Sequence, residues 1–187
     1  KEFLNQSFYH NKVEVWLYAL LFALGGFILS KIVYWIFKKF VTKITAKTKT
    51  KVDDLLIDML EEPIMYAIVI LGFWMGFHKL ELPEGATSFF EHAFTFVFIF
   101  NLTWLIARTV DAFFQEYLVP LTEKSANDFD DQIIPIVRKG VRGLIWSLGI
   151  VIGLDNAGFD IMALIAGLGI GGLALALAAQ DTVKNIF

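Results

Sequence analysis

The chain has 187 residues, 57% of them hydrophobic and 19% charged, with a mean hydropathy of +0.62. A water-soluble domain carries about 25% charged residues, so the class is integral membrane. A net charge of −3 argues for no nucleic-acid partner, and the absence of cysteine excludes a disulfide framework, a thiolate zinc site and a cysteine nucleophile.

A membrane-crossing helix needs about 20 mainly apolar residues. The first candidate is 13–37, with Trp16, Tyr18, Tyr34 and Trp35 near its ends as interfacial aromatics. A link follows at 38–51 with six lysines and no acid, then a short amphipathic helix at 52–62. Pro63 opens the second span (63–80), and LPEG (82–85) makes a turn. The third span, 89–107, continues as a more polar helix to Pro120. After a polar stretch at 122–132 come the fourth span (133–154), the turn DNAGFD (155–160) and the fifth span (161–187). The expectation is an all-α, multi-pass membrane protein with about five spans. It divides into outer helices (1–120) and an inner hairpin (121–187).

Lys and Arg near span ends set orientation. They crowd the 38–51 link and the 120–142 link (Lys124, Arg138, Lys139, Arg142), and are absent from 81–91 and 155–160. The basic links are therefore expected in the cytoplasm, which puts the N-terminus outside and Phe187 inside. Lys1 in place of an initiator Met fits a removed signal peptide or a segment of a longer chain.

A repeat is also visible. Residues 52–72 align with 129–149 at a constant offset of 77, matching Asp53 to Asp130, Asp54 to Asp131, Ile57 to Ile134 and Gly72 to Gly149. Tandem hairpins of this kind occur in secondary transporters, which keeps that class as the alternative. Its hints are Gly25, Gly26, Gly72 and Gly149, with no convergent charges beside them.

The last span holds GLGIGGLALALAAQ (167–180), with four glycines and four alanines, although each glycine costs a helix about 1 kcal/mol relative to alanine. Gly167, Gly169 and Gly172 satisfy G-x-G-x-x-G, but a dinucleotide site needs a preceding strand and a βαβ unit, which a continuous apolar helix lacks. Projection at about 100° per residue puts Ala166, Ile170, Leu173, Leu177, Gln180 and Lys184 on one narrow face. Gly169, Gly172, Ala176 and Ala179 form one flank, and Gly167, Gly171, Ala174 and Ala178 the other. Plain helix packing needs one small flank. Two flanks describe a ring of identical helices with the leucine face inward. Such a face closes a pore by dewetting.

Residues 158–187 resemble the pore helix of the small-conductance mechanosensitive channel (MscS) family in their Gly/Ala periodicity, in the leucines four apart, and in Gln180 and Asn185. Residues 48–60 resemble the link in members with additional helices. The resemblance implies a tension-gated heptamer in contact with membrane lipids, in which Leu173 and Leu177 form the closed constriction. It implies release of ions and small osmolytes during hypo-osmotic shock, in a bacterial inner (plasma) membrane or an organelle membrane of bacterial descent. It also implies a cytoplasmic β domain after residue 187 and a helix break at Gln180–Asp181. Many members carry glycine where this chain has Asp181, a poorer hinge.

The remaining polar residues carry no catalytic pattern. His10, His78 and His92 share no metal-ligand spacing, so no metal or cofactor is expected. Asp53, Asp54, Asp130 and Asp131 sit in adjacent pairs with no His or Cys companion, as helix-start charges do. Arg108 and Asp111 follow a stretch already long enough to cross the membrane, which marks them as interfacial. An enzyme is therefore not expected.

Overall fold

The computed structural model describes residues 6–45, 51–122 and 128–184. It is almost entirely helical: α1 (Val13–Thr45), α2 (Lys51–Phe77), α3 (Glu84–Phe113), a π-helical turn (Phe114–Leu118), α4 (Val119–Thr122), α5 (Asp128–Asn156) and α6 (Met162–Lys184). A small hairpin precedes them, β1 (Ser7–Phe8) antiparallel to β2 (Asn11–Lys12). Its turn residues Tyr9 and His10 both have positive φ, 47° and 63°, as a two-residue turn between twisted strands requires.

That hairpin fastens the first helix to the α2–α3 turn. Asn11 is 3% exposed. Its side-chain amide donates to the carbonyls of Tyr9 (3.0 Å) and Glu81 (2.8 Å), and its side-chain oxygen accepts from the Glu81 N–H at 2.7 Å. Every hydrogen-bonding group of this buried amide thus has a backbone partner, which is the condition for burying it without a net penalty.

Several boundaries differ from the sequence expectation for identifiable reasons. Pro63 does not open a span; α2 runs through it from Lys51. An internal proline removes one hydrogen bond and costs about 3 kcal/mol. Here Pro63 is fully buried and Met59 is 5% exposed, so tertiary packing holds the turn together. Pro135 is likewise inside α5. The helix after LPEG begins at Glu84, directly behind Pro83 (φ −55°). Pro120 does not end its helix either. The π turn lies just before it, and the wider turn accommodates a residue that lacks an N–H.

The helices pack in a row, α1 against α2, α2 against α3, and α3 against α5. Glycine makes two of these contacts possible. A Cβ on Gly26 would lie 2.8 Å from the Gly72 Cα, and one on Gly76 would lie 2.6 Å from the Ala19 carbonyl oxygen. On the other pair, a Cβ on Gly149 would overlap the Thr103 side chain, and one on Gly153 would lie 3.1 Å from the Phe96 ring. Without water to drive helices together, association in a bilayer depends on such close backbone approach. Aromatic contacts dominate the α2–α3 seam, with Phe77 4.3 Å from Phe90 and 5.5 Å from Phe94, ring centre to ring centre.

The chain is a multi-pass membrane protein. Four of the described helices are long and apolar enough to cross a bilayer: α1, α2, α3 with its continuation, and α6. The expected fourth span, inside α5, is not among them. Arg138, Lys139 and Arg142 occupy its first half. α5 is nonetheless 29 residues long, about 43 Å at 1.5 Å per residue, and long Arg and Lys side chains near one end of a helix can carry their charges to the membrane surface. Parts of both basic links (46–50 and 123–127), Lys124, Asn185 and Phe187 lie outside the described residues, as do the Asp53, Asp54, Asp130 and Asp131 side chains.

Gly72→Ala is expected to destabilise the fold by about 1–3 kcal/mol through overpacking. Gly25→Ala, whose Cβ would meet nothing within 4 Å, is expected to be neutral or mildly stabilising. Unfolding midpoints of the purified protein in a detergent titration check the contrast.

Candidate functional site

The site is built on α6. The α5–α6 turn contains Gly158 at φ +83°, a conformation suited to glycine. Asp160 then opens the helix, its carboxylate oxygen accepting from the Met162 N–H at 3.0 Å. Leucine and alanine supply the helix propensity that offsets the glycines.

α6 stands apart from the row. Every residue from Met162 to Asp181 is exposed within the single chain. Ile170, Leu173 and Leu177, on the face selected from sequence, are 71%, 63% and 62% exposed. Ala166, Gln180 and Lys184 on the same face are exposed as well. A Cβ on Gly167, Gly169, Gly171 or Gly172 would meet nothing within 4 Å. Ala174, Ala176, Ala178 and Ala179 are equally open. Neither small flank is used inside this chain, in contrast to Gly26, Gly72, Gly76 and Gly149. Of the glycines singled out in the sequence, Gly26, Gly72 and Gly149 lie at helix contacts and Gly25 does not, and all four lie inside unbroken helices.

Where the resemblance implies a break, α6 continues as one helix through Gln180 and Asp181 to Lys184. The Lys184 ammonium lies 3.8 Å from the Asp181 carboxylate, one turn apart, an arrangement that supports the helix. On its α5 side, α6 faces an apolar cleft of about 730 Å³ lined by Leu144, Ser147 and Leu148 of α5 and by Gly167, Gly171 and Leu175 of α6.

Behind this helix, ion pairs tie the row together. Arg108 and Asp111, neighbours in sequence, do not pair with each other. Arg108 donates to the Glu62 carboxylate on α2 and lies 5.8 Å from the Trp104 ring centre. Asp111 accepts a two-pronged contact from Arg138 on α5, at 2.6 Å from Nε and 2.7 Å from Nη2. Arg142 adds a third contact at 3.8 Å. Sequence reading did not foresee this triad. Its signal is the placing of Arg138 and Arg142 four residues apart on one helix face, which a single acid on a neighbouring helix can satisfy. Among the described residues, no group of three or more His, Cys, Asp or Glu side chains is placed to hold a metal ion.

Comparison with known proteins bears on the same region. The family model described as mechanosensitive ion channel, transmembrane helices 2/3, matches residues 139–180, which run from the basic half of α5 through α6. A small-conductance mechanosensitive channel, MscMJ of Methanocaldococcus jannaschii, is 40% identical over 97% of this chain and 52% of its own length. A large-conductance mechanosensitive channel of the same organism, MscMJLR, is 31% identical over 99% of this chain and 52% of its own length. An MscS family protein of Aquifex aeolicus is 28% identical over 94% of this chain and 51% of its own length. The chain thus spans about half the length of these relatives. No solved structure matches it.

The Asp111–Arg138 contact is two-pronged and its side chains are 22% and 27% exposed, so it should exceed an ordinary surface pair. A double-mutant cycle with Asp111→Asn and Arg138→Gln is expected to give a coupling of about 1–2 kcal/mol. Arg138→Lys, which keeps the charge and loses the fork, is expected to recover less than half of it in the same unfolding measurement.

Proposed function

Because the chain belongs to the MscS family of mechanosensitive channels, we propose that it is the membrane part of a channel opened by membrane tension, one that conducts rather than catalyses. One observation carries this reading: α6 exposes an apolar stripe and two small-residue flanks that nothing among the described residues covers. Copies of α6 packed flank to flank cover the glycines and alanines and turn Ile170, Leu173 and Leu177 inward. The leucines form the constriction, with Ala166 and Ile170 lining the approach and Gln180 and Lys184 the inner mouth. By resemblance the ring is a heptamer.

The four preceding long helices, in contact with lipid, sense the bilayer. Tension favours whichever state has the larger in-plane area, because only a differential coupling moves an equilibrium. Opening wets the leucine rings and passes ions and small osmolytes when external osmolarity falls. The basic links at 38–51 and 120–142 lie in the cytoplasm of a bacterial cell, with the N-terminus outside and a cytoplasmic β domain following residue 187.

The test is electrical. Liposomes containing the full-length protein are patched, and suction is stepped. Stepwise conductance that rises with suction is expected. Leu177→Ser is expected to open at lower tension, since a hydroxyl stabilises water in the constriction. Patches that stay silent while the liposomes accumulate a solute saturably would replace the channel with a transporter.

A further inference from the structure

The 77-residue repeat seen at 52–72 and 129–149 extends, in three dimensions, over most of the molecule. α1 packs on α2 as α3 packs on α5.

The individual contacts repeat as well. Gly26 meets Gly72, and Thr103 meets Gly149. Ala19 meets Gly76, and Phe96 meets Gly153. Within the first helix of each pair, Lys31 lies 4.8 Å from the Phe27 ring centre and Arg108 lies 5.8 Å from that of Trp104. Ser30 and Ala107, buried small residues of these helices, are both 4% exposed. Every residue in the second member of each comparison is 77 positions after its counterpart. Shared helix geometry alone does not put so many different kinds of contact in one register.

The register continues into α6. The seam between α2 and α3 contains a cleft lined by Ile70, Leu71, Phe94, Thr95 and Phe98. The α5–α6 cleft is lined by Ser147, Leu148, Gly171, Gly172 and Leu175, each again 77 residues on. We propose that α1–α2 and α3–α5 are two copies of one helical lever, and that the second turns toward α6 the same face on which the first packs α3, across a cleft that stays open. In the first seam, phenylalanines occupy the space and the cleft is about 230 Å³. In the second, glycines replace Phe94 and Thr95 and the cleft is about 730 Å³. α6 therefore holds the place of a third lever's first helix while gripping its neighbour far less tightly.

The mechanical part of this proposal rests on the channel reading; the duplication itself does not. If the levers are equivalent, helices from different copies are interchangeable in register. Deleting residues 26–102 of the full-length protein joins Gly25 to Thr103, removes one 77-residue unit and leaves a hybrid helix that pairs with α5 through Ala19–Gly153 and Thr103–Gly149. Deleting 26–100 instead leaves two extra residues and turns the downstream face by about 200°. The in-register deletion is expected to purify as a monodisperse oligomer, and the out-of-register deletion to aggregate. Equal behaviour of the two overturns the duplication whatever the patches show. In patches, the in-register deletion is expected to keep the parental unitary conductance and raise the midpoint tension by up to about twofold, since half the lever area remains to couple to tension. An unchanged midpoint would overturn the lever role. Silence of the undeleted protein would instead sink the channel reading.

The seam is tested separately, using the chain's lack of cysteine. Ser147→Cys with Gly171→Cys is expected to react with a short bifunctional maleimide inside one chain at rest, read as a shifted monomer band. Crosslinks found only between chains, or none, would overturn the placing of α6 across the cleft from its own α5.

Discussion

The close approach of backbones at Gly26 and Gly72 is the contact on which the rest of the molecule depends. In water, two apolar helices associate because their surfaces leave solvent. In a bilayer, lipid tails compete on equal terms, and only shape and hydrogen bonding remain. The first helix pair meets this condition with two facing glycines, which bring main chains within van der Waals distance. The second pair meets it with Thr103, whose side chain fills the notch at Gly149 while its hydroxyl donates to the Ile99 carbonyl at 2.8 Å. Even the polar atom is satisfied within its own helix, so the contact adds packing without a desolvation cost.

Charge organises what glycine brings together. Glu62, Arg108, Asp111, Arg138 and Arg142 fall on three successive helices and join them in a chain of pairs. These groups lie toward the same end of the row as the basic links, where their charged heads remain partly exposed. Long Arg side chains suit this placing, since the stem covers apolar surface and the head stays at the edge. The basic half of α5 thus loses its claim as an ordinary apolar span, while it becomes the anchor for α3. The same residues that charge its first half tie the helices that flank it.

Much of this was legible in the sequence. The long apolar runs give the helices, and the separation of small residues on α6 from its leucine face follows from a 3.6-residue period. The turn at DNAGFD is legible because a glycine at positive φ and a capping aspartate have recognisable chemistry. What escaped is whatever depends on partners distant in sequence. Pro63 reads as a boundary until its full burial is known. Pro120 reads as a stop until a π turn absorbs it. Arg108 and Asp111 invite pairing with each other, yet each finds a partner on a different helix. The repeat was visible only at its Asp pairs and glycines. Its first helices share too few identities, because Gly26 and Thr103 solve one packing problem with different atoms.

The Asn11 clasp stiffens one end of the row. Hydrogen bonds from one buried amide join the start of α1 to the loop between α2 and α3, so that end of the first three helices is pinned like the closed end of a pair of tongs. A displacement of the first helix at that end therefore carries with it the turn between the next two, and the three helix ends move as one body.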